Sequence, residues 1–558
     1  MVRQIFSFFY KETSKLHQAA FLLAFFSTLS LILGVVRDRA LAYYFGASLD
    51  LDIYYASFRI PDLIFVTIAS IVSLSVIVPF IIEREKIGKE SVKNLVDDIF
   101  SFFSITIVVV CLLAFILMPT LSGVLFKGFS PESLEKVVFT SRLLLLSPIF
   151  LGLSNLFGSI TQAYNRFLIY AFAPVLYNGG IIFGIFFLAK SLGVIGVALG
   201  VVLGSILHVA IQIPFIKRLG FVPRFKLLFD FNEIKRVVFL SLPRTFALSM
   251  TNIASIFLIS LASLMVAGSI SVFSFAQNIS TVPLSVIGVS YSLAAFPTFS
   301  RHFSDNNFKA FLDHVSLTLR HIIFWSMPVI ALFVVLRAQI VRVLLGSGSF
   351  DWSDTRLTAA ALALFSISAL SQSLILLFVR GFYSAGHTKK PLFISILSNI
   401  ILILLTYTAV KLYYSTTSLG PFVSSLLKVN DLSGTVVLML PLGFSIGTII
   451  SSIMFWISFE RSFGKFPKET YKTLFHSFSS AIFVGLGSYI GLNLFASMFD
   501  LQTLVGIFFQ GFFAGILGIG LGILVLWMLK SEELREFWKV IHQKFQNVDV
   551  VAENQEIV

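Results

Sequence analysis

Apolar residues in this chain come in runs of about 20, and that run length decides what the chain can fold into. A helix rises about 1.5 Å per residue, so such a run crosses a hydrocarbon core of roughly 30 Å. The runs are filled by Leu, Ile, Val and many of the 63 Phe, without the period-two alternation of an outer-membrane barrel. Spanning helices satisfy their own backbone hydrogen bonds in lipid, and the sequence offers no other way to do so. Charged residues make up only 12% of the chain, against roughly a quarter in soluble domains. Cys111 is the one cysteine and lies inside an apolar run, which excludes a disulfide framework, a cysteine zinc site and thiol redox chemistry. Arg3, Lys11 and Lys15 precede an apolar stretch that continues to Arg37 without a small-x-small cleavage site, so a retained first helix is expected.

Fourteen runs are long enough to span, beginning near residues 18, 54, 100, 137, 168, 193, 237, 270, 313, 357, 392, 437, 473 and 503. With the N-terminus inside, the inner loops hold 20 Lys and Arg and the outer loops six. This asymmetry predicts that both termini lie in the cytoplasm of a cell whose inner membrane the chain crosses many times. It also explains the net charge of +13, which sits in short loops and not in a stripe or tail that would bind nucleic acid. The tail from Lys530 carries Trp538 and Phe545 among charges and is expected on the inner membrane surface.

The chain repeats at a period of about 220 residues. LFKGFSPESLEKVVFTSRLLLLSP leads to QAYNRFLIYAFAPVLYN, and LLGSGSFDWSDTRLTAAALALFS leads to RGFYSAGHTKKPLFISILSN. Phe129 to Tyr164 and Phe350 to Tyr383 each frame an outer Gly-Phe loop, a spanning helix and an inner basic turn, and SLSVIVPF and SLAAFPTF extend the match upstream. The expected architecture is an all-α polytopic membrane protein: a six-helix half over 1–220, a second over 221–458, two more helices over 459–530 and a cytoplasmic tail over 531–558. An even number of spans per repeat makes the halves parallel copies around a central cavity, an arrangement suited to alternating access.

Loops and tails account for all Lys, and the basic residues left in the spans are eight Arg: Arg37, Arg39, Arg59, Arg142, Arg244, Arg320, Arg337 and Arg342. An ionisable group in lipid costs several kcal/mol, so each must reach an interface or face a wet cavity. The last five lie near span boundaries and read as snorkelling groups. Arg37, Asp38, Arg39 and Arg59 cluster with Asp52 and Asp62 on the first two spans. Adjacent Arg37 and Asp38 should point to different helix faces, leaving Arg37 to a cavity and Asp38 to another base. The cluster reads either as an anion site, for which arginine's planar fork suits phosphate oxygens, or as an ion-pair network that fixes helix packing. Gly34, Gly46, Pro61 and Pro79 are expected to interrupt the first two spans, and Pro283 and Pro297 the eighth, whose strongest polar groups are Gln277 and Asn278. No catalytic constellation, metal-ligand spacing or Walker loop is found, and His208 reads as polar glue between helices. A transporter without bound cofactor, driven by membrane potential or a coupling ion such as Na⁺ or H⁺, fits these features.

Residues 34 to 79, beginning GVVRDRALAYYFGASLDLDIYYASFRIPDLIF, together with QAYNRFLIYAFAPVLYN, GSILHVAIQIPFIKRLGF, GSGSFDWSDTRLTAAALALFS and RGFYSAGHTKKP, resemble the MurJ/MviN lipid II flippases of the group that also holds multidrug and polysaccharide exporters. The resemblance covers essentially the whole chain. It implies movement of the undecaprenyl-pyrophosphate-linked peptidoglycan precursor to the outer leaflet, with the bilayer, lipid II and possible cell-wall synthesis machinery as partners. It implies substrate binding by Arg37, Arg39 and Arg59, gating or orienting roles for Asp38 and Asp52, and a lipid-tail groove in the last two spans.

The chain departs from the family's pattern at two places. Phe65, Val66 and then Ser70, Ile71 and Val72 stand where the second span usually carries a basic pair and an acid-glycine-alanine run, and Gln277 and Asn278 replace an Asp-Arg pair. The cavity is expected to be less cationic, with Gln277 and Asn278 as its polar groups. A flippase for another polyprenyl-linked saccharide, or a cation-coupled drug exporter using Asp38 and Asp62, are the alternatives. The latter would present net acid, against three Arg here; a scaffold role is opposed by the shortness of the loops.

Overall fold

In this computed structural model the described residues are 16–69, 74–164, 167–227, 229–416, 418–539 and 542. Ser70, Ile71, Val72 and Phe545, and the Arg244 side chain, fall outside them. Every regular element among the described residues is helical. Twelve helices there are long and apolar enough to cross a membrane, and they are the third to the fourteenth of the expected runs. The first expected run is α1, Leu16–Phe45, 30 residues long. The second takes in α2, Leu49–Ser57, and α3, Arg59–Ala69, which meet at Phe58, and, on the far side of residues 70–73, α4, Leu74–Glu85.

The chain divides into two compact units, residues 1–274 with 344–354, and residues 275–343 with 355–558. In the first unit, α5 (Lys89–Leu125), α6 (Pro131–Leu144) and α7 (Leu146–Ala163) follow the broken second span. Next come α8 (Phe167–Phe183), α9 (Val194–Ala210) and α10 (Phe231–Ser263). α1 lies along α8 and α8 along α9. A Cβ on Gly180 would come within 2.4 Å of the Gly204 backbone, so small residues let these two helices touch.

The second unit takes α11 (Ser269–Pro283) from Phe275 on, α12 (Ser290–Ser304), α13 (Phe308–Val335), α14 (Arg337–Leu345) as far as Val343 and α15 (Trp352–Ser384) from Thr355 on. It ends with α16 (Lys389–Ser415), α17 (Met439–Phe463), α18 (Lys468–Phe495) and α19 (Leu504–Met528). Phe299, Phe311, Phe378, Phe382, Phe455 and Phe459 form its buried core, which is where many of the phenylalanines go. The repeat is visible in lengths: Pro131–Ala163 and Trp352–Ser384 are both 33-residue spans, each preceded by a buried phenylalanine, Phe129 or Phe350.

Helix breaks are fewer than the Gly and Pro positions suggest. Gly34 lies inside continuous α1, and Pro297 inside continuous α12, since neighbouring residues keep the helical path. α4 likewise runs through Pro79. The real interruptions are the Gly46 turn, the α2–α3 junction at Phe58, three residues before Pro61, and a π-helix, Leu284–Val289, that begins after Pro283. Proline removes one N–H and forces a wider turn there. In α18 and α19 glycine serves close packing: a Cβ on Gly518 would meet Ser488 Oγ at 2.1 Å and Val484 O at 2.6 Å.

Candidate functional site

Arg37 lies two turns before the end of α1. Its Nε and Nη2 donate to Asp38 Oδ1 at 2.9 and 2.7 Å, and its Nη1 to Asn178 Oδ1 at 3.4 Å. The expectation that Arg37 and Asp38 serve different faces is corrected: the long guanidinium stem closes the 100° step between neighbours and forms the ion pair itself. Asn178 is held in turn, since its Nδ2 donates to Ser30 Oγ at 3.1 Å and to Pro174 O at 3.2 Å. Asn178 ends the QAYNRFLIYAFAPVLYN segment, and its place beside Arg37 was carried in the sequence only by that motif.

Arg59 opens α3, where its Nη1 donates to Ser255 Oγ of α10 at 3.2 Å. Its Nε is buried without a hydrogen-bond partner. Asp62, one turn on, supplies the acidic charge acting on it. Tyr55 lies within electrostatic reach of both Arg37 and Arg59, and Tyr54 and Tyr177 of Arg37, so the first unit brings together two arginines, Asp38, Asp62 and three phenols. A second α3–α10 tie, Thr67 Oγ1 to Ser249 Oγ at 2.9 Å, holds the broken span against α10.

Arg39 is placed elsewhere. Two residues along a helix is 200°, and Arg39 Nη1 is directed at Leu344 O, 3.5 Å away. Asp52 does not orient an arginine. Its carboxylate is 2% exposed and accepts from Gly268 N at 2.7 Å, Ser271 N at 2.7 Å and Ser271 Oγ at 2.6 Å, at the start of α11. A carboxylate is the natural partner for the unpaired N–H groups and positive dipole of a helix N-terminus. A neighbouring turn is held the same way, with Asp354 Oδ2 accepting from Ala47 N at 3.1 Å. Gly46 adopts φ +63°, and a Cβ on Gly268 would lie 2.2 Å from Ala47 O, so both glycines are needed for these turns to meet.

Phe65 and Val66 are half-buried on α3, and Gln277 and Asn278 are half-buried on α11 in the second unit. Ser280 and Thr281 cap the Gln277 and Asn278 carbonyls at 2.8 and 2.7 Å. His208 does act as glue, its Nδ1 2.6 Å from Ser154 Oγ and the Gln212 side chain joining the same hydroxyl. Among the described residues no group of three or more His, Cys, Asp or Glu could hold a metal ion.

A family model described as lipid II flippase MurJ matches residues 41–511. The chain belongs to the MurJ lipid II flippase family. A probable lipid II flippase MurJ of Rickettsia prowazekii is 27% identical over 391 residues, 69% of this chain and 76% of that one. The lipid II flippase MurJ of Burkholderia cenocepacia is 26% identical over 399 residues, 69% and 77% of the two chains. Among solved structures, a lipid II flippase MurJ in an inward closed conformation shares the fold at a TM-score of 0.71 and 22% identity, over 93% of this chain and 99% of that one. An inward-facing multidrug resistance MATE transporter shares it at 0.64 and 16%, over 78% and 94%. The protein is therefore a transporter of the MurJ type and a multi-pass membrane protein, not an enzyme. The family match begins after Arg37, Asp38 and Arg39 and includes Asp52 and Arg59.

Proposed function

We infer that this chain is a lipid II flippase that moves the undecaprenyl-pyrophosphate-linked peptidoglycan precursor across the bacterial inner membrane by alternating access. The observation that carries the reading is the pair of guanidinium groups, Arg37 and Arg59, gathered on the first unit with Arg59 Nε buried and unpartnered. A buried donor without an acceptor costs about 1–3 kcal/mol, and an arriving phosphate oxygen recovers that cost. Arg37 takes a different part. Its Nε and Nη2 are committed to Asp38, so it meets an anion through its remaining N–H groups or by releasing Asp38.

In this reading Asp38 tunes Arg37, Asp52 stabilises the turn at the start of α11, and both termini lie in the cytoplasm. The phenols of Tyr54, Tyr55 and Tyr177 add donors for pyrophosphate or sugar oxygens, compensating for the apolar Phe65 and Val66. Membrane potential or a coupling ion supplies the drive, and cell-wall synthesis machinery receives the product.

Complementation of cells depleted of their own lipid II flippase tests the proposal. Wild type should restore growth, and Arg59→Ala, present in the membrane at wild-type level, should not. Full growth with both Arg37→Ala and Arg59→Ala would overturn the assignment of the cluster.

A further inference from the structure

A groove of about 500 Å³ opens between α5 and the α6–α7 pair, lined by Cys111, Leu112 and Phe115 on one side and by Phe139, Arg142 and Leu146 on the other. Its rim is apolar and faces outward, with Leu112 and Phe139 more than half exposed. On spanning helices such a surface meets acyl chains. One charge is set into this wall, and the sequence explains why it is held there. Pro119 has no N–H, so the Phe115 carbonyl four residues earlier lacks its helical donor. Arg142 Nε fills that place at 3.0 Å, and its guanidinium lies 4.5 Å from the centre of the Phe115 ring.

These contacts occupy one edge of the guanidinium. Among the described residues Nη1 and Nη2 have no protein partner. A half-buried guanidinium beside lipid needs an anion, and its planar fork matches phosphate. Arg142 lies eleven residues into α6, but helical side chains slant toward the helix N-terminus, here the loop that carries Lys127. The free N–H groups are held at the level of the Phe115 carbonyl, ten residues or about 15 Å inside the Leu125 end of α5, so a phosphate that meets them is drawn in below the headgroup layer on that side, with Leu112 and Leu146 continuing the apolar wall.

We propose that this groove is a binding site for an anionic phospholipid, with one acyl chain along Leu112, Phe139 and Leu146 and the phosphate on Arg142. The lipid belongs to the leaflet on the Lys127 side, which is the outer leaflet in the orientation proposed above. No residue of the Arg37 and Arg59 cluster takes part, so the site is separate from that of the transported precursor.

Native mass spectrometry of the full chain, titrated with dioleoyl phosphatidylglycerol and with zwitterionic dioleoyl phosphatidylcholine, tests this. The wild type should bind phosphatidylglycerol more tightly. Arg142→Gln should raise its apparent Kd about tenfold, equivalent to about 1.4 kcal/mol, with phosphatidylcholine binding unchanged. Arg142→Lys should restore part of the difference, and Leu112→Trp, which fills the groove and keeps the charge, should weaken both lipids. Unchanged phosphatidylglycerol binding in Arg142→Gln, or an equal loss for the two lipids, would overturn the charge assignment. Unchanged binding in Leu112→Trp would overturn the groove. Because detergent binding does not depend on transport or orientation, these outcomes are independent of the complementation result, in which Arg142→Gln should still support growth.

Discussion

Replacing Asp52 by Asn removes a charge while keeping nearly the same volume, and the structure fixes what is lost. One carboxylate oxygen accepts from Gly268 N, and the other from Ser271 N and Oγ, all within 2.7 Å, at a residue 2% exposed. An amide has one acceptor oxygen, so its NH2 must face at least one backbone N–H. That donor is then buried and unpaired, at a cost of about 1–3 kcal/mol. Loss of the negative charge beside the first turn of α11 adds about 0.3–1 kcal/mol. The total, about 1.3–4 kcal/mol, should lower Tm by about 3–8 °C at roughly 2 °C per kcal/mol. Cys111 supplies the assay: it is the one thiol in the chain and is buried, so a fluorogenic thiol reagent reports unfolding in detergent. Asp52→Asn that melts with the wild type would refute the argument that this carboxylate anchors the turn. A variant that melts low yet supports growth would leave Asp52 a structural anchor and remove it from gating.

Three further outcomes follow from the same reasoning. Asn178→Ala removes the acceptor for Arg37 Nη1 and the tie to Ser30, so it should weaken lipid II retention in native mass spectrometry by several-fold; equal retention would sink the positioning role. Gly518→Ala pushes a methyl into Ser488 Oγ and Val484 O and should destabilise the chain by about 1–3 kcal/mol, whereas Gly520→Ala, with open space around its Cβ, should not; equal melting would refute close α18–α19 packing. In the tail, burial alone would raise the Glu533 carboxyl, but bonds from Thr473, Ser531 and Arg320 outweigh it and hold the group below its ordinary value. A depressed folded-state value means stability present above the unfolded carboxylate range, near 4.3, and lost as pH falls through the folded value. Hydrogen exchange over 531–539, corrected for intrinsic rates, should therefore stay slow from pH 7 to 5 and rise below about 4, and Glu533→Gln should abolish that step.

The membrane class and twelve of the spans were legible because lipid imposes a run length that no other environment demands, and the repeat survived as two 33-residue spans with matching Phe129 and Phe350. The site was half legible. Charge in an apolar run marks a residue as compensated, which singled out Arg37, Asp38, Arg59 and Asp62, but it does not name the compensating partner. Helical periodicity placed Arg37 and Asp38 on different faces by their Cβ directions, and a side chain with four rotatable bonds overrode that at once. Asp52 was harder still. Its partners are backbone N–H groups 216 and 219 residues away, and backbone donors have no sequence signature. The one trace of such a contact was Gly268, whose missing Cβ lets the two turns meet.

Arg142 shows the same logic working the other way. By its position alone it was one of five snorkelling arginines. What distinguishes it is Pro119 on a different helix, which opens the Phe115 carbonyl that Arg142 then fills. A proline in a spanning helix is therefore informative twice, for the bend it imposes and for the acceptor it leaves four residues back. In lipid that acceptor has to be met by some donor, and when the donor is an arginine, the N–H groups it does not use are left to recruit an anion.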